Sequence, residues 1–186
     1  MIIRFITVTY FILNLSLGLN AQTHDNQIQY SSIGIVNSDY TRYIGAPRQG
    51  ILKPDSKGKI IIYSEYIDGL SKLENFEYII VIYHFHEVKS WIISENPPGS
   101  KYEFGIFATR SPKRPNPIGF SIVKLEKIEN GVLHVSGIDM FDKTPVLDIK
   151  PYLPSIDCIK SKINSETEME YGHHHDNFIY DSIYFR

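Results

Sequence analysis

The chain reads as a mainly β protein, a barrel or a sandwich, and three observations predict it. Short β-type runs follow one another with turn residues between them, helical periodicity is nearly absent, and one apolar run is unbroken. After the polar stretch Thr23 to Gln29, the runs are Ile33 to Val36, Lys59 to Tyr63, Tyr78 to Phe85, Phe104 to Phe107, Phe120 to Ile128, Val132 to Ile138 and Val146 to Ile149. One short helix is expected around Tyr66 to Leu73. The run Tyr78 to Phe85 is continuous rather than alternating, the pattern of a strand buried on both faces. Between the fifth and sixth runs, Asn130-Gly131 suits the two left-handed positions of a tight hairpin, and Leu133 and Val135 then alternate with His134 and Ser136.

The stretch Phe104 to Gly119 is a shaped loop rather than a core element. Pro112, Pro115 and Pro117 fix φ and remove backbone donors, so no helix runs through the segment after Arg110. Such a loop holds Arg110, Lys113, Arg114 and Asn116 in a nearly fixed arrangement at the end of a strand, a place that suits binding groups. The planar guanidinium of Arg110 offers a fork of donors to a carboxylate or phosphate. A rigid, solvated connector with incidental charges is the plainer alternative.

Three blocks together define a resemblance: Ala46-Pro-Arg-Gln49, then Gly105-Ile-Phe-Ala-Thr-Arg-Ser-Pro-Lys-Arg-Pro-Asn-Pro-Ile-Gly-Phe-Ser121, then Gly137-Ile-Asp-Met-Phe-Asp-Lys-Thr-Pro-Val-Leu-Asp-Ile-Lys-Pro-Tyr-Leu-Pro154. In this order, from about Ile33 to Asp157, they resemble the TrmO/TsaA-like family of S-adenosylmethionine-dependent tRNA methyltransferases. The resemblance narrows the fold to a single closed, mostly antiparallel β-barrel with few short helices. It implies methylation of N6 of threonylcarbamoyl-adenosine beside the anticodon, S-adenosylmethionine as cofactor, tRNA as partner, and a homodimer in which the cofactor pocket forms. The cofactor contacts it implies are Pro47, Arg48, Gln49, His86, Glu87, Arg110, Phe120, Ser136, Gly137, Ile138 and Asp139. Phe120 and Ile138 would pack around the adenine, and Lys113, Arg114 and Asn116 are the candidate substrate contacts, with Arg114 on an RNA phosphate. Two residues depart from the family pattern: Glu87 stands where Gln commonly follows the histidine, and Lys143 where Gly is usual before Thr144-Pro145. The further C-terminal domain of longer members is not visible. The alternatives that these departures leave open are an S-adenosylmethionine-binding module and a small-molecule methyltransferase.

With 186 residues, 42% hydrophobic and 22% charged, the chain can bury the core of one globular domain. A formal charge of −2 does not advertise a nucleic-acid binder, although Arg110, Lys113, Arg114, Lys124 and Lys127 lie close enough in sequence to form a local basic patch. Cys158 is the single cysteine, which excludes an intrachain disulfide and a CxxC site. Residues 1–21 look like a signal peptide: Arg4 is followed by the uncharged, largely apolar stretch Phe5 to Leu19, and Ala21 fits a cleavage site. A misplaced start or a buried strand is the alternative. Cytoplasmic location follows from the resemblance, and a periplasmic or secreted one from a genuine signal peptide. The run is short for a membrane span, so no membrane association is expected of the mature chain. Residues 22–29 read as a polar linker, 30–160 as the barrel domain and 161–186 as a tail that completes or flanks it.

Other constellations read more plainly. His84 and His86 share one strand face, but no third ligand has supporting spacing, so no metal is expected; His84 reads as a packing residue. His173 to His175 resemble an adventitious metal tract. Among the carboxylates, Asp139 is the candidate polar anchor, whereas Asp142 suits an Asx-type turn with the following backbone and Asp148 a structural role. No general base is identified, and there is no GxGxxG after a strand, no P-loop and no Ser/His/Asp order.

Overall fold

The computed structural model describes residues 27–159. Its strands in chain order are β1 (Gly34–Ser38), β2 (Lys57–Ile62), β3 (Tyr78–His84), β4 (Ser94–Glu95), β5 (Phe104–Gly105), β6 (Ile118–Glu129), β7 (Val132–Ser136) and β8 (Pro145–Pro151). Six of them close into a barrel in the order β1-β2-β7-β6-β3-β8, with every pairing antiparallel. Closure leaves the barrel without a free strand edge. The two-residue strands β4 and β5 pair separately in the long connection between β3 and β6. A single helical turn, α1 (Pro154–Asp157), follows β8.

Turn chemistry sets the register of the longest hairpin. Asn130 and Gly131 both have positive φ, 51° and 77°, as a tight two-residue connection requires. Beyond it β6 pairs with β7 through residues 124–129 and with β3 through residues 118–124, and a register shift between Leu125 and Lys127 lets the strand bend from one neighbour to the other. The interior is filled by alternate residues of every barrel strand, among them Val36, Ile60, Ile79, Val81, Val123, Leu133, Val135 and Val146, each nearly inaccessible to solvent.

The structure changes four expectations. The region around Tyr66 to Leu73 is not an α-helix but two 3₁₀ segments, Ser64–Leu70 and Leu73–Asn75, separated where Lys72 takes a left-handed φ of 71°. The run from Phe104 keeps only two strand residues before a 3₁₀ turn at Ile106–Ala108. The sixth run ends at Ser136, because Gly137 at φ 72° turns the chain. Finally, β3 alternates: Ile79, Val81 and Tyr83 are buried, while Ile80, Ile82 and His84 are half-buried on the outer face. Its unbroken apolar run therefore reflects one core face and one apolar outer face.

Gly119 is required by packing. A Cβ there would meet the Tyr83 ring at 2.2 Å, and that ring is buried in the core. Overpacking of this kind costs about 1–3 kcal/mol. Gly119→Ala is expected to lower the urea midpoint by that amount of stability; an unchanged midpoint would show that the Tyr83 ring moves aside freely.

Candidate functional site

Three separate segments meet at one end of the barrel: the turn at residues 47–50, the loop carrying Arg110, and the turn at residues 136–139. The first and third are in backbone contact, since a Cβ on Gly50 would lie 1.8 Å from the Gly137 carbonyl oxygen. Asp139 brackets the same junction. Its Oδ2 accepts the Gly50 N–H at 2.9 Å and its Oδ1 accepts the Ser121 hydroxyl at 2.6 Å. Ser121 in turn lies 3.2 Å from the Tyr83 hydroxyl inside the barrel, so with Ser121 donating to the carboxylate the phenol donates to Ser121. Arg110 donates to Gln49 Oε1, Gln49 Nε2 donates to the Arg48 carbonyl at 2.6 Å, and Arg48 Nη1 donates to the Pro98 carbonyl at 3.2 Å.

Burial pushes the Asp139 carboxyl from an ordinary 3.8 up to about 6, against the hydrogen bonds of Ser121 and Gly50 and the charge of Arg110. Burial, and then the Asp139 charge, also hold the Tyr83 phenol above its usual range. The junction thus sets a costly ionisable group beside an exposed guanidinium, a pattern found at functional sites.

The expected contact residues do not all converge. Arg48, Gln49, Arg110, Gly137 and Asp139 belong to the junction, and Pro47 begins its first turn. The Ile138 side chain, expected beside an adenine, is fully buried in the core cluster, and its backbone borders the turn. Ser136 gives its hydroxyl to Glu126 at 2.6 Å rather than to the junction. Phe120 points out of the barrel, opposite to Ser121, and is 48% exposed. His86 lies 3.4 Å from the Thr144 hydroxyl and 3.6 Å from Glu87; burial lowers its pKa, which keeps the ring neutral at neutral pH. Lys113 and Arg114 are half-buried and Asn116 is exposed on the proline loop.

The Asx-type turn expected of Asp142 is replaced by a long-range bracket, because its Oδ1 accepts from Asn37 at 3.1 Å and from the Ser38 N–H at 3.3 Å. Asp148 pairs with Lys150 at 2.6 Å, a structural role. Lys143 adopts φ 62°, the left-handed conformation that glycine favours. Among the described residues no group of three His, Cys, Asp or Glu could hold a metal. The histidine tract and residues 1–21 lie outside the described residues. An open groove of about 460 Å³ lined by Asn37, Lys57, Lys59, Glu126 and His134 sits on the β1-β2-β7 side, where Lys57 pairs with Glu126 at 3.3 Å.

Sequence reasoning missed Gly50, Ser121 and Tyr83. The available signal was alternation: Ser121 falls between Gly119 and Val123 on the inward face of β6, and Tyr83 continues the inward series Ile79, Val81.

The family model described as the tRNA-methyltransferase O N-terminal domain matches residues 35–158, more than half of the chain. The chain belongs to this family. A relative from Archaeoglobus fulgidus called S-adenosyl-L-methionine-binding protein is 44% identical over 127 residues, 68% of this chain and 91% of the relative. The Escherichia coli tRNA (adenine(37)-N6)-methyltransferase is 35% identical over 139 residues, 69% of this chain but 59% of that enzyme. Crystal structures of TrmO superpose with TM-scores of 0.65, at 34% identity over 75% of this chain and 64% of the other, and 0.62 for the Pseudomonas aeruginosa protein, at 35% identity over 74% and 62%.

Because the Asp139 pKa in the fold exceeds its unfolded value, the stability tied to this group is full below about pH 4 and is lost as pH rises through about 6. Asp139→Asn, neutral throughout, is expected to gain on wild type by roughly 1–2 kcal/mol between those limits, a figure discounted for the solvent access Asp139 retains. Thermal unfolding across this range checks it, and parallel curves for the two proteins would contradict it.

Proposed function

We propose that this domain binds S-adenosylmethionine at the junction and transfers its methyl group to N6 of an adenosine in tRNA, with threonylcarbamoyl-adenosine beside the anticodon as the acceptor. The observation that supports this reading is the convergence of Gln49, Arg110, Gly137 and Asp139, spread over 90 positions of sequence: Arg110 donates to Gln49, the adjoining Gly50 N–H donates to Asp139, and Gly50 abuts Gly137. The residues fit the cofactor's charges. An exposed guanidinium suits its carboxylate, and the Asp139 carboxylate suits its ammonium or sulfonium charge.

When bound, S-adenosylmethionine supplies a methyl carbon made electrophilic by the adjoining sulfonium. Arg110, held by Gln49, orients the ligand's anionic end, and Asp139 keeps its negative charge at the mouth despite the burial cost. The missing Cβ of Gly50 lets the Gly137 main chain pack against the 47–50 turn, which holds the two turns together. The protein's work is alignment, which can supply most of the rate enhancement of a displacement at an activated carbon.

The outer face of β6 supports a dimer in this reading. Ile118, Phe120 and Ile122 alternate along it, all partly exposed, beside Ile80 and Ile82 of β3. A second copy seated there would cover an uncharged, self-complementary stripe and place Phe120 at the interface. A tRNA-modifying role also places the protein in the cytoplasm with its cofactor. No helix among the described residues is long and apolar enough to cross a membrane.

A second reading, a cofactor-binding module without tRNA activity, is favoured by the Archaeoglobus fulgidus relative, which this chain covers almost completely and whose name states only binding. Calorimetry with S-adenosylmethionine, followed by methyl transfer to threonylcarbamoylated tRNA, separates the two. Arg110→Ala is expected to weaken cofactor binding about tenfold or more, the worth of a charged hydrogen bond, with the melting temperature unchanged. Wild-type affinity in the folded variant would remove Arg110 from the site.

A further inference from the structure

Several surface lysines are paired with carboxylates. On the outer face of β2, β7 and β6, Lys57 pairs with Glu126 at 3.3 Å, Lys124 with Glu77 at 3.8 Å, and Lys127 with Glu129 at 2.9 Å; Glu129 also takes His134 at 3.5 Å. On that face Lys57, Lys124 and Lys127 are offset, while Lys59 forms no ion pair among the described residues. The proline loop is different. Arg110 faces the Asp139 carboxylate, but no acidic residue occurs from Phe104 to Pro117, and neither Lys113 nor Arg114 forms an ion pair among the described residues.

The same loop exposes aromatic surface in a fixed geometry. Arg114 Nη1 donates to the carbonyls of Ile106 at 3.0 Å and Thr109 at 2.8 Å, which anchors the guanidinium 5.7 Å from the centroid of the Phe107 ring. Phe107 is nevertheless 78% exposed. Two backbone hydrogen bonds, Ile106 N–H to the Ile93 carbonyl at 2.9 Å and Ile92 N–H to the Lys113 carbonyl at 3.2 Å, tie the neighbouring segment to this loop. That segment presents Trp91, 54% exposed, and Ile93, 76% exposed. The result is a lip with flat apolar rings and unneutralised positive charge on a rigid frame.

We propose that this lip binds single-stranded RNA, with an unpaired base stacked on Phe107 or Trp91 and the flanking phosphates met by Lys113 and Arg114. The inference rests on the reading of tRNA as substrate and names the surface that would grip the loop around the target adenosine. Aromatic rings and guanidinium planes are the groups on which unstacked bases rest, and cations take the backbone. A second copy of this chain is disfavoured at this surface, because a two-fold contact would set Lys113 and Arg114 against their own images.

Trp91 is the only tryptophan of the chain, so its fluorescence reports on the lip alone. Full-length protein would be titrated with a short RNA hairpin carrying an unpaired loop and with a fully paired RNA duplex of the same length. The expected result is saturable quenching by the hairpin, weakened by added salt, with a roughly fivefold or greater loss of affinity in Phe107→Ala and a smaller, less salt-dependent affinity in Lys113→Ala. Circular dichroism and cofactor calorimetry on the same variants show that fold and cofactor site are intact. Hairpin binding without cofactor binding would sink the cofactor reading and leave the lip standing. Absence of quenching while S-adenosylmethionine still binds, or equal affinity for the duplex, would overturn the lip. So would a concentration-dependent Trp91 shift without RNA that Phe107→Ala abolishes, which would assign the surface to a second copy.

Discussion

Asp139 accepts one hydrogen bond from the backbone of the 47–50 turn and another from a serine inside the barrel, and the mouth of the molecule is organised around that pair. Breaking either contact would separate the Gly50–Gly137 approach or leave the Ser121 hydroxyl without its carboxylate acceptor in the core. The arrangement costs stability at neutral pH, since burial raises the carboxyl's pKa to about 6. A protein selected for stability alone would replace such a group with a neutral one. Its presence beside Arg110 fits a site where a fixed negative charge has work to do.

The barrel gives each surface a separate task through strand alternation. Along β6, inward positions hold Gly119, Ser121, Val123 and Leu125, while the outward positions Ile118, Phe120 and Ile122 form the apolar stripe. Ser121 therefore serves the junction and its neighbour Phe120 the exterior. Lys57, Lys124 and Lys127 on the adjoining face are offset by glutamates, whereas Lys113 of the proline loop forms no ion pair among the described residues. An overall charge of −2 conceals this division, which explains why composition alone argues against a nucleic-acid partner.

Much of this was legible in the sequence where local chemistry decides the backbone. Asn130-Gly131 predicts its hairpin, and the three prolines predict the irregular loop, because both act through φ. The closed barrel needed the family resemblance, since alternation cannot distinguish a barrel from a sandwich. Continuous apolarity in β3 misled, for an apolar outer face produces the same pattern as burial on two sides. The junction was half legible: motif residues Gln49, Arg110 and Asp139 do meet, but Gly50, Ser121 and Tyr83 join them through tertiary contacts. Ile138 shows the converse, a motif residue whose side chain belongs to the core. Lys143 is locally unfavourable at its φ of 62°, and nothing in the structure explains its choice over glycine.

Backbone amide chemical shifts recorded while S-adenosylmethionine is added to the isotope-labelled protein would locate the ligand without relying on any substitution. Binding at the junction predicts the largest shifts at Gly50, Arg110, Gly137 and Asp139. Shifts confined to Lys57, Lys59 and His134 would place the ligand in the groove on the β1-β2-β7 side and contradict the assignment.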